Sequence, residues 1–310
     1  MKAVCGNDGG VAVVDLDEPP GTGELLRMRS ASICASDLMY LGLGRQKIMG
    51  HELAGVRDDG TAVVVEAIYG CMEREQCERG AYNLCPTHGQ RALGIAADGG
   101  MAEHFRAPAA RLVPLPPELD VRDASLVEPA SVSWHALRLG GTGPGGESSL
   151  SEPAPSGCSL RWARRLGGED VAREARYPHQ REAGERLGVH VGASGLYDVV
   201  IEAAVSEASL ARCAELVSPG GTIVVLGLDL GAVELNWMPL FNREARIIPS
   251  LGYCAHGGGR EMADAAAMLA DEPDIARTLI THRFPIEDAV EAFRVAGDKT
   301  TGALRVVVEP

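Results

Sequence analysis

The sequence has no long apolar run and no excess of basic residues, and each absence excludes a class of protein. No window approaches the roughly 18 consecutive apolar residues of a membrane-spanning helix, and residues 1–10 lack the basic-then-apolar order of a secretory signal peptide. The formal net charge of -14 disfavours nucleic acid, because an acidic surface repels a polyanion. We therefore predict a cytoplasmic protein with no membrane and no nucleic-acid partner.

The length and the pattern of apolar residues predict two domains. With 310 residues, 45% of them hydrophobic, the chain can form about two separate cores. Short β-rich runs alternate with Gly, Pro and Asp turns over the first 130 residues, which predicts a β-rich domain. From about Val199, a buried strand, a helix that ends before a Pro-Gly-Gly turn, and a second apolar strand follow one another. This order predicts a parallel crossover, the unit of a doubly wound sheet.

The cysteines are distributed unevenly. The chain has eight of them, and a reducing compartment favours thiols, metal ligands or core packing over disulfides. Cys71, Cys77 and Cys85 crowd into one polar stretch, which favours a metal site, although thiols in a surface loop remain an alternative. Most of the others are expected to be small apolar core residues.

A thiol, an imidazole and carboxylates follow one another in an order that favours zinc. The motifs are Cys-Ala-Ser-Asp from Cys34, Gly-His-Glu around His51, and Glu-Pro from Glu128. Zinc accepts sulfur, nitrogen and oxygen ligands in a tetrahedron, and catalytic sites keep one position open. A single Cys or His would indicate little, but the three motifs together predict a catalytic zinc site.

These motifs resemble those of the zinc-containing alcohol dehydrogenases of the medium-chain dehydrogenase/reductase superfamily, nearest the polyol, threonine and butanediol dehydrogenases. The resemblance covers most of the chain. It implies an α/β protein with a β-rich, GroES-like catalytic zinc domain over residues 1–129 and 278–310, and a doubly wound, Rossmann-like nucleotide-binding domain over residues 130–277. It also implies a homodimeric or homotetrameric enzyme that transfers a hydride between a secondary alcohol or polyol and a nicotinamide cofactor.

The resemblance also implies roles for the residues of the metal site. Cys34, His51 and Glu128 correspond to the ligands of the catalytic zinc. Glu52 corresponds to the acidic residue that lies beside the metal and can enter its coordination shell. Ser36 corresponds to the hydroxyl that relays the substrate proton toward solvent.

The second cysteine group resembles the family's structural-zinc lobe, which carries four cysteines at the spacing C-x2-C-x2-C-x7-C. Cys71, Cys77 and Cys85 match three of these positions, and Arg74 stands at the second. A guanidinium group only donates hydrogen bonds and cannot bind a metal. We therefore expect a metal-free or weakly occupied lobe, unless a neighbouring glutamate completes the shell.

The nucleotide-binding half departs from the family at its phosphate-binding turn. A strand running into G-x-G-x-x-G is expected there, but residues 147–157 read ESSLSEPAPSG. Two prolines and a polar run exclude a buried central strand, so we expect the first strand of this domain to be disrupted. An alternative function follows, namely a non-catalytic or cofactor-deficient homologue that retains the metal domain.

A shifted reading frame would explain the missing motif. When Glu147 to Leu160 are back-translated with favourable synonymous codons and read two bases later, they spell a Val-rich strand followed by Gly-Ala-Gly-Ala-Ile-Gly-Leu. The last two letters of each shifted codon are dictated by the residues of this chain. We therefore hypothesise a frame slip between about Gly146 and Trp162, which would weaken dinucleotide binding.

Three further residues are candidates for contact with the dinucleotide. NAD-preferring relatives place an acid where this chain has Ala175, and here Arg176 follows. Together with Arg181 it suits a 2′-phosphate, so NADP is favoured over NAD, although a solvated basic start of a helix explains both arginines equally well. Gly227 resembles the glycine beside the nicotinamide, and an ordinary turn glycine is the alternative.

Overall fold

The computed structural model describes residues 1–44, 46–141, 171–228 and 231–310. The chain divides into two compact units, a first unit of Met1–Ser131 with Tyr253–Pro310 and a second unit of Val132–Gly252. The expected phosphate-binding turn and the hypothesised frame slip lie outside the described residues. Within the described ranges, no helix is long and apolar enough to cross a membrane.

The strands are named β1 to β16 in chain order, and three of them precede the first helix. The helices span Ala35–Gly42, Glu75–Glu78, Val127–Leu139, Pro178–Arg186, Glu207–Leu216, Trp237–Phe241, Glu261–Asp271, Asp274–Leu279 and Ala289–Gly297. The strands span Lys2–Asn7, Gly10–Asp15, Glu24–Ser32, Glu52–Val56, Ala62–Val65, His104–Ala107, Leu112–Pro114, Ala172–Arg173, His190–Val191, Tyr197–Glu202, Val217–Val225, Arg246–Pro249, Ala255–His256, Gly259–Arg260, Ile280–Pro285 and Arg305–Glu309. The predicted α/β class is confirmed.

The first unit is built on a seven-stranded sheet in the order β15-β16-β3-β4-β5-β7, with β6 also paired to β3. Only the β15–β16 pair is parallel, so the sheet is mostly antiparallel and can bury one face while the other meets solvent. Leu26 and Met28, two residues apart on β3, are fully buried in the core. Phe293 of the helix Ala289–Gly297 packs in the same core. The sheet thereby fixes the start of β4, where Glu52 lies directly after His51.

The segment after Gly252 clusters with the first unit. The resemblance assigned residues 253–277 to the nucleotide domain, and that boundary stays a prediction. Tyr253 is fully buried, and its hydroxyl oxygen accepts hydrogen bonds from the backbone N–H groups of Ala67 at 2.8 Å and Ile68 at 3.3 Å. These buried bonds anchor the returning segment, because a buried N–H without an acceptor would cost free energy.

The second unit contains a parallel sheet in the order β10-β11-β12. The helix Glu207–Leu216 connects β10 to β11, which confirms the predicted parallel crossover. Ser206 caps this helix, and its Oγ accepts the backbone N–H of Ser209 at 3.1 Å. Cys213 and Leu216 of the helix pack with Val200 of β10 in the core. A second parallel pair, β8 with β9, belongs to the same unit.

Candidate metal centre

Cys34 is held at the N-terminus of the helix Ala35–Gly42 by a buried carboxylate. Asp37 is fully buried, and its Oδ2 accepts the backbone N–H of Cys34 at 2.9 Å. The backbone N–H of Asp37 in turn donates to the carbonyl of Cys34 at 3.1 Å. These reciprocal bonds satisfy N–H groups that a helix start leaves without partners, and they fix the position of the thiol.

His51 lies directly before β4 and contacts the same helix. Its Nδ1 is 3.1 Å from Asp37 Oδ1, and its Nε2 is 3.3 Å from Ser36 Oγ. Burial of the ring lowers its pKa, but the Asp37 carboxylate and the Cys34 thiol raise it, and the pKa of His51 lies well above its usual value. A metal ion at this ring would therefore have to displace a proton.

Three different donor types converge at this point of the first unit. The ligand atoms of Cys34, His51 and Glu52 all lie within 4.8 Å of one another. Glu52 is 1% exposed, and its carboxylate accepts hydrogen bonds from Arg305 Nη1, at 3.0 and 3.2 Å, and from the Ser32 hydroxyl. Sulfur, nitrogen and oxygen donors at this separation fit a single zinc ion.

Glu128 adjoins this group from the start of the helix Val127–Leu139. The side chain is buried, and burial together with the nearby Glu52 carboxylate raises the pKa of Glu128 to about 8, against the opposing effects of His51 and Arg305. Every residue that the sequence nominates for the catalytic metal is thus found in one region of the first unit. The tightest group contains Glu52, which the sequence nominated as a residue beside the metal that can enter its shell, and Glu128 lies next to it.

Two residues that contact the group had no role assigned from the sequence. Asp37 belongs to the Ser-Asp pair of the first motif, so the sequence did contain a signal for it. Its contact with His51 joins residues only 14 positions apart. Arg305 had no such indication, because its contact with Glu52 joins residues 253 positions apart.

Asp37→Asn should weaken zinc binding about 10- to 100-fold, the range found when a partner of a metal-binding histidine is removed. The Asn oxygen can still accept the Cys34 N–H, but its amide NH2 would then face His51 Nδ1 and oppose the required tautomer. Zinc affinity is measured by competition with a chromogenic chelator. The exposed Asp58→Asn is the matched control, and an unchanged affinity in Asp37→Asn would contradict the assignment of this hydrogen bond.

The second cysteine group is also assembled. The Sγ atoms of Cys71, Cys77 and Cys85 lie within 4.8 Å of one another. Hydrogen bonds from Thr87 and Cys71 lower the pKa of Cys85 to about 6, whereas burial raises that of Cys77. Among the described residues, no Asp, Glu or His joins this group. Three thiols do not fit the closed, four-coordinate shell of a structural zinc.

The candidate cofactor residues lie in the second unit. Arg176 is exposed in the loop between β8 and the helix Pro178–Arg186, and its guanidinium lies 5.6 Å from the centre of the Tyr177 ring. Arg181 is exposed on that helix. Gly227 follows β11, where a Cβ would lie 2.3 Å from Val205 Cγ2. This glycine is therefore required by packing, which is a stronger reason than turn geometry alone.

Comparison with known proteins identifies matching families over most of the chain. Residues 21–117 match the family described as Alcohol dehydrogenase GroES-like domain, and residues 157–271 match the one described as Zinc-binding dehydrogenase. Sorbitol dehydrogenase of Macaca fascicularis is 30% identical over 322 residues, covering 88% of this chain and 86% of that protein.

Two solved structures share the fold. Galactitol-1-phosphate dehydrogenase from Escherichia coli superimposes with a TM-score of 0.88 at 20% identity, covering 100% of both chains. A zinc-binding dehydrogenase from Sinorhizobium meliloti 1021, solved with bound NADP, gives a TM-score of 0.86 at 25% identity and covers 100% of this chain and 99% of that one.

Proposed function

The chain belongs to the zinc-dependent alcohol dehydrogenases of the medium-chain dehydrogenase/reductase superfamily, and we propose that Cys34, His51 and Glu128 bind its catalytic zinc. The enzyme transfers a hydride between an alcohol and a nicotinamide cofactor, NADP or NAD. The alternative, a non-catalytic homologue, is not favoured by these relatives.

The observation that carries the zinc assignment is the convergence of Cys34 sulfur, His51 nitrogen and Glu52 oxygen donors within 4.8 Å, with the buried Glu128 beside Glu52. Such a mixed set suits zinc, whereas magnesium and calcium prefer oxygen ligands alone. The Asp37 carboxylate is hydrogen-bonded to His51 Nδ1 at 3.1 Å, so Nε2 is the ring nitrogen that remains for the metal.

The carboxylate ligand is assigned by comparing the partners of the two glutamates. Both oxygens of Glu52 already accept hydrogen bonds from Arg305, and Ser32 donates to one of them. Glu128 is 5% exposed and lies beside the negative charge of Glu52, an arrangement that a bound cation would relieve. Glu128 therefore completes the shell, while Arg305 holds Glu52 beside the metal.

When bound, zinc acts as a Lewis acid that makes the substrate hydroxyl more acidic, and the nicotinamide accepts the hydride. The protein must then carry the hydroxyl proton to solvent. Ser36 is partly exposed, and its Oγ lies 3.3 Å from His51 Nε2 at the edge of the buried group. Its hydroxyl can accept the proton from the buried side and donate one toward water.

A secondary alcohol or polyol is the proposed substrate, because the relatives include sorbitol dehydrogenase and L-galactonate-5-dehydrogenase. The identity of the alcohol depends on contacts in the pocket, where one methylene or hydroxyl changes preference. Assembly as a homodimer or homotetramer and a cytoplasmic location stay predictions.

Turnover of a polyol series with NADP or NAD, before and after metal removal, tests the function. Chelation should abolish hydride transfer and added zinc should restore it. Each cofactor should also raise the melting temperature of the zinc-loaded protein by mass action. Zinc binding without stabilisation by either cofactor would favour the cofactor-deficient alternative, and sequencing the gene around codons 146–162 would decide whether a frame slip is the cause.

Arg176→Ala should weaken NADP about 10- to 100-fold while leaving NAD nearly unchanged, since a charge-assisted bond to a phosphate contributes about 1.5–3 kcal/mol. Dissociation constants for both cofactors are measured by titration. Arg186→Ala, an exposed change at the end of the next helix, is the control. An equal loss of affinity for NADP and NAD would show that Arg176 is a solvated surface charge and not a ligand of the 2′-phosphate.

A further inference from the structure

The three thiols of the second cysteine group are spaced for a common ion. Cys71 Sγ and Cys85 Sγ are 3.7 Å apart, and Cys77 Sγ lies within 4.8 Å of both. An ion about 2.3 Å from each sulfur holds its sulfur ligands roughly 4 Å apart. Binding therefore requires little rearrangement.

The fourth position offers no ligand. Arg74 is exposed and precedes the short helix Glu75–Glu78. Glu75, one of the glutamates considered as a replacement ligand, is exposed and lies 3.5 Å from Arg79. In the part of the chain that is described, the donor group consists of the three cysteines alone.

The surroundings of the sulfurs suit bound thiolates. The backbone N–H of Cys71 points at Cys85 Sγ at 3.4 Å, and Thr87 Oγ1 lies 3.3 Å from the same sulfur. Gly70 provides the space, because a Cβ there would be 2.3 Å from Cys77 Sγ. Cys77 and Cys85 are buried, whereas Cys71 is partly exposed and gives a route for an ion.

The lobe is also held by contacts that involve no sulfur. Arg111 is 3% exposed, and its Nη2 donates to the carbonyl of Gly70 at 3.3 Å. The buried Glu66 accepts a hydrogen bond from the Tyr82 hydroxyl and another from Arg260 Nε at 3.0 Å. A structural zinc normally supplies folding energy to such a loop. In this lobe, the hydrogen bonds of these charged and aromatic side chains hold the loop without a metal.

We propose that Cys71, Cys77 and Cys85 form an exchangeable three-thiolate site for a soft cation, Cu(I), and not a four-coordinate structural zinc site. Thiolates prefer soft ions, and Cu(I) accepts three sulfur ligands without a fourth. Binding releases the thiol protons and changes no oxidation state. The site is separate from the catalytic zinc and does not depend on the function proposed above.

The first test is an anaerobic titration of the zinc-loaded, full-length protein with Cu(I) against a coloured Cu(I) chelator. We expect about one Cu(I) per chain, bound without loss of the catalytic zinc. Cys77→Ser and Cys71→Ser should abolish this binding, and Cys5→Ser, which replaces a partly exposed cysteine elsewhere, should retain it. Absence of Cu(I) binding, or binding that survives in both variants of the group, would overturn the proposal.

The second test adds a ligand and so does not depend on variants that fail to fold. Arg74→Cys should raise the zinc content from about one to about two per chain, because it completes four thiolates. Arg79→Cys, an exposed change on the same turn, should leave it at about one. A wild-type protein that already holds two zinc ions, one of them lost in Cys77→Ser, would show that three cysteines suffice for structural zinc.

Discussion

His51→Ala should remove the catalytic zinc and lower kcat/KM by about a thousandfold. A metal Lewis acid contributes several kcal/mol to the transition state, and each 1.36 kcal/mol corresponds to about a factor of ten in rate. His51 Nε2 is the ring nitrogen left for the metal, because Asp37 occupies Nδ1. Removing the ring takes away the nitrogen ligand of the group and leaves only the Cys34 sulfur and the carboxylates.

Zinc content per chain and steady-state rates, measured on the same preparations, check this result. His282→Ala is the control, since that ring is only partly buried on β15 and its Nδ1 lies 3.0 Å from Thr281 Oγ1. Circular dichroism shows whether each variant is folded. A folded His51→Ala protein that keeps both its zinc and its full rate would refute the assignment of the metal site.

Gly99→Ala should destabilise the first unit by about 3 kcal/mol, the upper range for forcing an extra carbon into a packed site. The added Cβ would lie 2.3 Å from the carbonyl oxygens of both Met49 and Gly50. These are backbone atoms, so they cannot rotate away as a side chain would. The Gly99 N–H also donates to the Ile48 carbonyl at 2.8 Å, which holds the two segments together. Zinc affinity should fall as well, because Gly50 directly precedes His51.

The free energy of unfolding of Gly99→Ala and of the wild type is measured by urea denaturation. If the two proteins have the same m-value, the difference between their midpoints gives the loss of stability. Gly89→Ala is the matched control: no heavy atom would lie within 4 Å of its Cβ, and its stability should change by no more than about 0.5 kcal/mol. Equal unfolding midpoints for Gly99→Ala and the wild type would mean that the backbone around His51 can move apart without cost.

The candidate metal group could be recognised in the sequence because zinc restricts both residue type and local order. Cys34 and His51 stand in short motifs whose chemistry is visible without a structure. The cation that neutralises Glu52 was not predictable in this way. Any of the 29 Lys and Arg residues could serve, and only the pairing of β16 with β3 selects Arg305.

Two packing contacts were also beyond the sequence. The helix Glu261–Asp271 has the same apolar spacing in either domain, and it is the buried hydroxyl of Tyr253 that ties its segment to the first unit. Gly227 stays a candidate for the nicotinamide contact, and its close packing against Val205 is a further constraint that its position in the sequence did not show. Both facts depend on contacts between distant segments, which leave no local pattern.

The pairing of β16 with β3 has a consequence for biosynthesis. A ribosome releases the chain from its amino end, so Glu52 leaves the exit tunnel 253 residues before Arg305, its partner in the finished fold. During that interval the edge of β3 that later pairs with β16, at Ala31 and Ser32, lacks its partner, and an unpaired strand edge can recruit other chains. Glu52 can therefore gain its cationic partner only after translation has almost finished, and the unpaired edge of β3 is available to other chains until then.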